Sequence, residues 1–335
     1  MLIEQFSARA DVAAIFTIDK ELPSELYKNN PKVTFIQTNM SDPENWVAQA
    51  KAFAPDLVIH TAWQIREMYG QKPTQWKWNV TGSDVVFDFA FSTPSVKKLI
   101  HFSTVSSYGA FADNSVDHFF KENEGFRKSD YLYAEEKRVV EHHLEEKYAA
   151  AKKAGKTPQV FIVRPAAITG PRGRYMRIRF GLQAALSGQL KENALHRLIS
   201  AMVSFVPVTK KWLRQFIHED DVVDIVQLLS FTDLKGEYEV FNICPPGAPV
   251  RGKDMAKAVN KRAVRISPYL IRPVFFVMWN LSRGKVPTSK GGWKSYSYPI
   301  AVDGSKLTAQ YGYIYKFGSK DAFVKKEGRY AKYIK

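Results

Sequence analysis

Short runs of β-branched and other apolar residues punctuate the first half of the chain at 12–19, 33–39, 57–62, 99–104 and 160–165, each ending on a polar or small residue. The runs are near-continuous rather than alternating, which suits strands buried on both faces of a parallel sheet. Helical signals lie between them. Ser41-Asp42-Pro43-Glu44 is a cap with proline in a first turn, leading into 45–54, and 79–91 and 133–154 follow the same logic. Strand, helix, strand in repetition predicts an α/β fold built on a doubly wound parallel sheet. Such sheets bind ligands beyond the carboxyl ends of their strands, which makes Asp19, Asn39, His60, Ser103 and Thr104 candidates. After Pro165 the pattern loosens into longer helices and Pro/Gly punctuation, predicting one unit over 1–165 and a smaller one over 166–335.

Composition narrows the class. The 335 residues are 45% hydrophobic and 24% charged, so disorder, collagen and a disulfide scaffold are excluded. Cys244 stands alone, so neither an intramolecular disulfide nor a thiolate metal site can form, and no metal is expected. The first residues lack a secretory pattern and the longest uncharged apolar stretch, 198–208, falls short of a membrane span; a cytoplasmic location is the expectation. The net charge of +16 is uneven: residues 1–165 carry 20 basic and 21 acidic side chains, residues 166–335 carry 29 and 12. The second half therefore suits an anionic partner.

Tyr133 and Lys137 stand one helical turn apart, so they share a helix face. An ammonium there stabilises phenolate and lowers a pKa that starts near 10, fitting the tyrosine to exchange a proton with a substrate hydroxyl. The same spacing recurs at Tyr148 and Lys152, but about 22 Å further along the helix and just before a Gly-Lys-Thr-Pro loop. Tyr148 is expected at the wrong end of the sheet, in a structural role. His60 and His218 lack neighbours at ligand spacing, and Glu219-Asp220-Asp221 reads as an acidic first turn of a helix.

Phe16-Thr-Ile-Asp19, Val58-Ile-His-Thr-Ala62, Asn79-Val-Thr-Gly82, His101-Phe-Ser-Thr-Val-Ser-Ser-Tyr-Gly109, Tyr133-Ala-Glu-Glu-Lys137, Val163-Arg-Pro165 with Gly170-Pro171, and Phe216-Ile-His-Glu-Asp-Asp221 occur in order. Together they resemble the extended short-chain dehydrogenase/reductases, the NAD-dependent epimerase/dehydratase family. The resemblance implies a Rossmann-like dinucleotide-binding domain over 1–165 and a basic substrate-binding region over 166–335. It implies Thr104, Tyr133 and Lys137 as the catalytic set, and Asp19, Asn39, Met40, Thr61, Ala62, Asn79, Tyr133, Lys137 and Pro165 along the cofactor. A carboxylate at Asp19 favours NAD over NADP, while Lys20 leaves NADP open. The family's first strand and glycine-rich turn are not seen: residues 1–6 look like the middle of its first helix, so the expectation is that upstream codons encode the missing part.

For the substrate, nucleotide-sugar members commonly carry Asn two residues after the position of Pro165, where this chain has Ala167. The Arg-Pro-x-x-x-x-Gly-Pro form looks more like the branch acting on steroid-like or other lipophilic alcohols, and Arg172, Arg174, Arg177 and Arg179 could grip a phosphate. The expected function is thus an NAD(P)-dependent oxidoreductase or epimerase on a lipophilic or phosphorylated small molecule. A nucleotide-sugar epimerase or dehydratase, and a non-catalytic binding protein, are the alternatives. The apolar stretch 269–279, flanked by Arg265, Arg283 and Lys285, fits peripheral attachment to an anionic membrane or a helix over the substrate pocket. No RNA-recognition motif supports nucleic acid, and a homodimer is left open.

Overall fold

The computed structural model describes residues 1–155, 157–172, 205–258, 260–285 and 289–333. Strands β1 (Ile15–Asp19) and β2 (Val33–Gln37) form one parallel pair, Ile15 opposite Val33. Strands β3 (Leu57–His60), β4 (Lys98–Phe102) and β5 (Gln159–Pro165) belong to a second, all-parallel sheet. A fourth strand of that sheet, Tyr238–Ile243, lies beside β5, so the order runs from it through β5 and β4 to β3. The five strands expected in the first half are present with ends shifted by up to three residues.

Alternation of side chains along these strands builds two cores. On one face Leu99, Val160 and Ile162 pack against helices α4 (Gly82–Ser92) and α5 (Leu132–Lys153) through Phe87, Val140 and Leu144. On the other, Ile100, Phe161 and Val163 meet Val222, Ile225 and Leu229 of a helix at Glu219–Phe231, with Phe6 of α1 (Leu2–Ser7). Helices α2 (Val47–Phe53) and α3 (Lys72–Trp76) complete the first half. Between α3 and α4 the helix widens into one π turn at Lys77–Thr81. Such turns interrupt regular hydrogen bonding and often mark functional positions; this one carries Asn79.

Beyond Pro165 come β6 (Ala167–Thr169), β7 (Phe205–Val208), β8 (Leu213–Arg214), β9 (Phe216–His218), α6 (Glu219–Phe231), β10 (Tyr238–Ile243), β11 (Val250–Arg251), α7 (Gly252–Ala258), β12 (Arg262–Arg265), α8 (Pro268–Leu281) and α9 (Gly292–Ser297). The short pairs β6–β9, β8–β11 and β7–β12 frame a separate cluster of Val206, Trp212, Phe216 and Met255. Residues 219–243 return to the main sheet as α6 and β10, so its layers draw on both sides of position 165.

The acidic first turn of α6 is buried. Asp220 accepts from the Arg329 backbone N–H at 2.8 Å, and Asp221 from the Tyr313 hydroxyl and the Lys316 N–H, both at 2.8 Å. These carboxylates tie the C-terminal segment to the helix N-terminus, where negative charge is stabilised.

Candidate active site

Helix α5 is pinned to the sheet by a buried ion pair. Arg164 of β5 donates to the Glu141 carboxylate at 2.6 Å and to the Tyr108 hydroxyl at 2.7 Å, and Ser103 donates to Glu141 from the end of β4. Burial disfavours the charge on Arg164, but the Glu141 carboxylate more than offsets it and holds the guanidinium above its ordinary pKa. Breaking such a pair strands a buried charge at a cost of about 3–5 kcal/mol. The start of α5 is thereby held at the carboxyl ends of β4 and β5.

Tyr133, in the first turn of α5, and Thr104, just past β4, line one cleft. Thr104 Oγ1 accepts from the Ser106 N–H at 3.1 Å and caps the turn Val105–Tyr108. Its hydroxyl proton can still be donated elsewhere. Lys137 is buried one turn along: its ammonium donates to the Phe102 carbonyl and lies 3.5 Å from the centroid of the Trp63 ring. Burial pushes its pKa well below the usual value, against the pull of Glu141 and Glu136.

Glu136 was not singled out from the sequence, because a glutamate inside a helix is usually solvated. Here it is buried, and its Oε2 accepts from Asn79 at 2.7 Å and Gln75 at 3.2 Å. Burial raises its pKa to about 7, with the two amides pulling down and Glu67 pushing up. Asn79 also exchanges both amide bonds with the Gln64 backbone, at 2.8 and 3.0 Å. The stretch after β3 is therefore fastened to α5 through the π turn.

The ends of β1, β2 and β3 enclose a second cleft. Of the residues expected along the cofactor, Asp19, Asn39, Met40, Ala62 and Asn79 line it. Asp19 is exposed; its carboxylate accepts from the Glu21 N–H at 3.0 Å, and among the described residues no cation pairs with it. Asn39 accepts from the Ser41 N–H at 3.0 Å. Met40 packs on Gly82, where an added Cβ would stand 2.7 Å from Met40 Cγ, so the side chain needs glycine at the start of α4. Thr61 is exposed just past β3 and does not line this cleft, nor does the buried Lys137. Pro165 and Tyr133 line the Thr104 cleft instead.

The Thr104 cleft is walled largely by apolar and aromatic groups, among them Tyr131, Trp212, Met255, Phe275 and Tyr296. Arg214 also lines it, donating to the carbonyls of Leu213 at 2.7 Å, Tyr298 at 2.9 Å and Ser295. Among the described residues no carboxylate pairs with it, and burial pushes its pKa down to about 10. Nothing local marks Arg214 among 49 Lys and Arg. The clefts enclose about 260 and 240 Å³ and both open to solvent.

Elsewhere, Tyr148 is buried against Tyr238, ring centroids 4.8 Å apart, and Lys152 pairs with Glu237 at 2.6 Å. Both are far along α5 from the cleft. His60 bonds Ser83 at 2.8 Å, its ring lies 5.1 Å from that of His101 at a tilt, and burial pushes its pKa down to about 3. Of the arginine run, Arg172 pairs with Glu4, while Arg174, Arg177 and Arg179 lie outside the described residues. Among the described residues no group of His, Cys, Asp or Glu is placed to hold a metal, and no helix is long and apolar enough to cross a membrane.

Comparison with solved structures finds the fold in nucleotide-sugar enzymes. The Bordetella bronchiseptica enzyme WbmG in complex with NAD and UDP is 20% identical, with a TM-score of 0.62 over 92% of this chain and 84% of that one. The dTDP-glucose 4,6-dehydratase of Bacillus anthracis str. Ames in complex with NAD is 13% identical, with a TM-score of 0.63 over 96% and 89%. The UDP-glucose 4-epimerase of Thermotoga maritima with UDP-glucose is 20% identical, with a TM-score of 0.62 over 92% and 88%. These likenesses bear out the doubly wound α/β fold. Comparison with curated proteins finds no match. The family model described as the NAD dependent epimerase/dehydratase family matches residues 2–244, and the chain belongs to that family of NAD-dependent enzymes.

Proposed function

We propose that the chain interconverts an alcohol and a carbonyl on a sugar carried by a nucleoside diphosphate, as an epimerase or dehydratase. One observation carries this reading: the cleft that holds Thr104 and Tyr133 also holds Arg214, a half-buried guanidinium with carbonyl partners and no paired carboxylate among the described residues. A guanidinium so placed suits a diphosphate, which supplies the missing negative charge. The solved neighbours with UDP, UDP-glucose or UDP-glucuronic acid point the same way. This substrate replaces the steroid-like alcohol as the preferred reading.

The cleft at the ends of β1 to β3 fits NAD. Asp19 lines it with a carboxylate that no cation among the described residues pairs with, suited to ribose hydroxyls, and Ile18, Met40 and Ala62 give it apolar walls. When bound, NAD supplies an acceptor for hydride. Thr104 donates its hydroxyl proton to the substrate oxygen and holds it in place. Tyr133 takes the proton from that oxygen, or returns it. Lys137 stands one turn from the phenol, and its protonated form favours phenolate. In this reading 1–165 with 219–243 serves the cofactor, and the remaining described residues after 165 serve the substrate.

The apolar wall of the Thr104 cleft specifically favours a second reading, in which the alcohol is lipophilic. Both take a cytoplasmic enzyme whose basic half meets an anionic membrane; a homodimer is compatible with either. The test supplies NAD with UDP-glucose, UDP-glucuronic acid or dTDP-glucose and follows sugar products by chromatography, alongside a panel of hydrophobic alcohols. Product from a nucleotide sugar is expected. Nicotinamide reduction by hydrophobic alcohols alone would sink the first reading.

A further inference from the structure

We infer that α8 is a membrane-docking helix that lays its outer face on the surface of an anionic bilayer. The inference rests on the membrane partner proposed above and assigns it a face; it does not depend on the substrate.

The helix turns one stripe inward. Ile271, Phe275 and Trp279, four residues apart, are buried, with Phe275 against Tyr296 of α9 and on the wall of the Thr104 cleft. The opposite face holds Tyr269, Leu270, Val274, Phe276, Val277 and Leu281, all exposed. Tyr269 is 86% exposed, Leu281 77% and Leu270 63%, so these side chains stand in water rather than at the edge of a core. Large apolar groups gathered on one face mark an interaction surface, whereas scattered ones do not.

Charge identifies the occupant. Residues 255–302 contain nine Lys and Arg and no Asp or Glu. Arg262 and Arg265 lie exposed on β12, Arg272 on α8 itself, and Arg283, Lys285 and Lys290 follow its C-terminal end. Among the described residues, the carboxylates bonded to this region from other elements are Glu67, which accepts from Ser289 and the Lys290 N–H, and Asp130, paired with Lys294 at 2.6 Å. Among the described residues no carboxylate pairs with Arg262, Arg265, Arg272, Arg283 or Lys285. Two copies of this chain meeting face to face would bring like-charged rims together, since a two-fold interface pairs a patch with itself. An anionic bilayer offers an apolar interior behind negative headgroups, matching face and rim at once.

Length fixes the mode. Fourteen residues make a helix of about 21 Å, short of the roughly 30 Å hydrocarbon core, so α8 lies along the surface. Its inner stripe would then hold the substrate cleft next to the membrane.

The test is co-sedimentation of the full chain with vesicles of phosphatidylcholine alone or mixed with phosphatidylserine, at low and high salt. The double substitution Phe276→Ser with Leu281→Ser keeps every charge and alters only exposed positions. Ile314→Ser, at a residue 82% exposed outside this region, is the control. The unmodified chain and the control should pellet with the mixed vesicles and weaken in high salt, and the double variant should bind at least about tenfold less. Circular dichroism should be alike for all three. Binding to mixed vesicles that survives the double substitution would overturn the α8 assignment while leaving a membrane partner in place. No binding to mixed vesicles, or a dimer that only the double variant dissolves, would overturn both.

Discussion

Helix α5 carries tyrosine and lysine at the same spacing twice, and its two ends have opposite fates. At the first, Tyr133 opens into a cleft beside Thr104 and Lys137 is buried beneath Trp63. At the second, Tyr148 is core against Tyr238, and Lys152 is a surface cation paired with Glu237. Spacing alone cannot separate them, because i,i+4 geometry is the same along a helix. The surroundings differ: the first end meets the carboxyl edge of the sheet, where strands stop and side chains face a cavity.

The largest expected effect breaks the first end. Tyr133→Phe removes the proposed acid/base group and should lower turnover by about 10²–10⁴ while NAD affinity stays within a few-fold, measured by steady-state kinetics and equilibrium binding. Lys137→Met should cost about tenfold to a hundredfold, and the rate profile should shift to higher pH as the phenol loses its neighbouring charge. An unchanged profile would detach Lys137 from Tyr133.

A thermal comparison sharpens the contrast. Glu136 has its folded pKa raised to about 7 from an ordinary 4.5, chiefly by burial. Between those values the unfolded chain releases the proton while the folded chain keeps it, so this group's stability contribution falls as pH rises and levels off above about 7. The loss is on the order of 3 kcal/mol. His60 slopes the other way, since a histidine kept neutral by burial costs stability as pH falls below its ordinary 6.5. Comparing unfolding of the unmodified chain and Glu136→Gln at pH 5 and pH 8 isolates the Glu136 slope, which the variant should lack. A smaller effect is expected at the cofactor end: Asp19→Ala should narrow the preference for NAD over NADP by about threefold to tenfold, since an exposed carboxylate repels a 2′-phosphate only through screened charge. Equal affinities in the unmodified chain would remove Asp19 from that role.

What the sequence made legible follows the range of the interactions involved. Strands β1 to β5 are short apolar runs, and local pattern suffices for them. Strand β10 escaped notice: Tyr238–Ile243 earns its place by pairing with β5 across more than seventy residues of chain, a contact no window contains. Tyr133 and Thr104 of the Thr104 cleft, and Lys137 buried one turn along, were readable because spacing and strand ends carry them. Arg214 and Glu136 were not, since burial gives them their character and burial is a tertiary property. The stretch 269–279 lies in α8, where Phe275 walls the cleft, as one of its readings expected, while Val274 and Phe276 beside it are exposed.

The central claim, that proton and hydride exchange occur at the first end of α5, is tested most directly by a single turnover. The NAD-loaded chain, Tyr133→Phe and Tyr148→Phe are each mixed with UDP-glucose, and the near-ultraviolet absorbance of reduced nicotinamide is followed. The unmodified chain and Tyr148→Phe should develop it at rates within about twofold of each other, and Tyr133→Phe should stay dark on that timescale, as loss of a general base demands. Reduction at the normal rate in Tyr133→Phe, or its loss in Tyr148→Phe, would contradict the account.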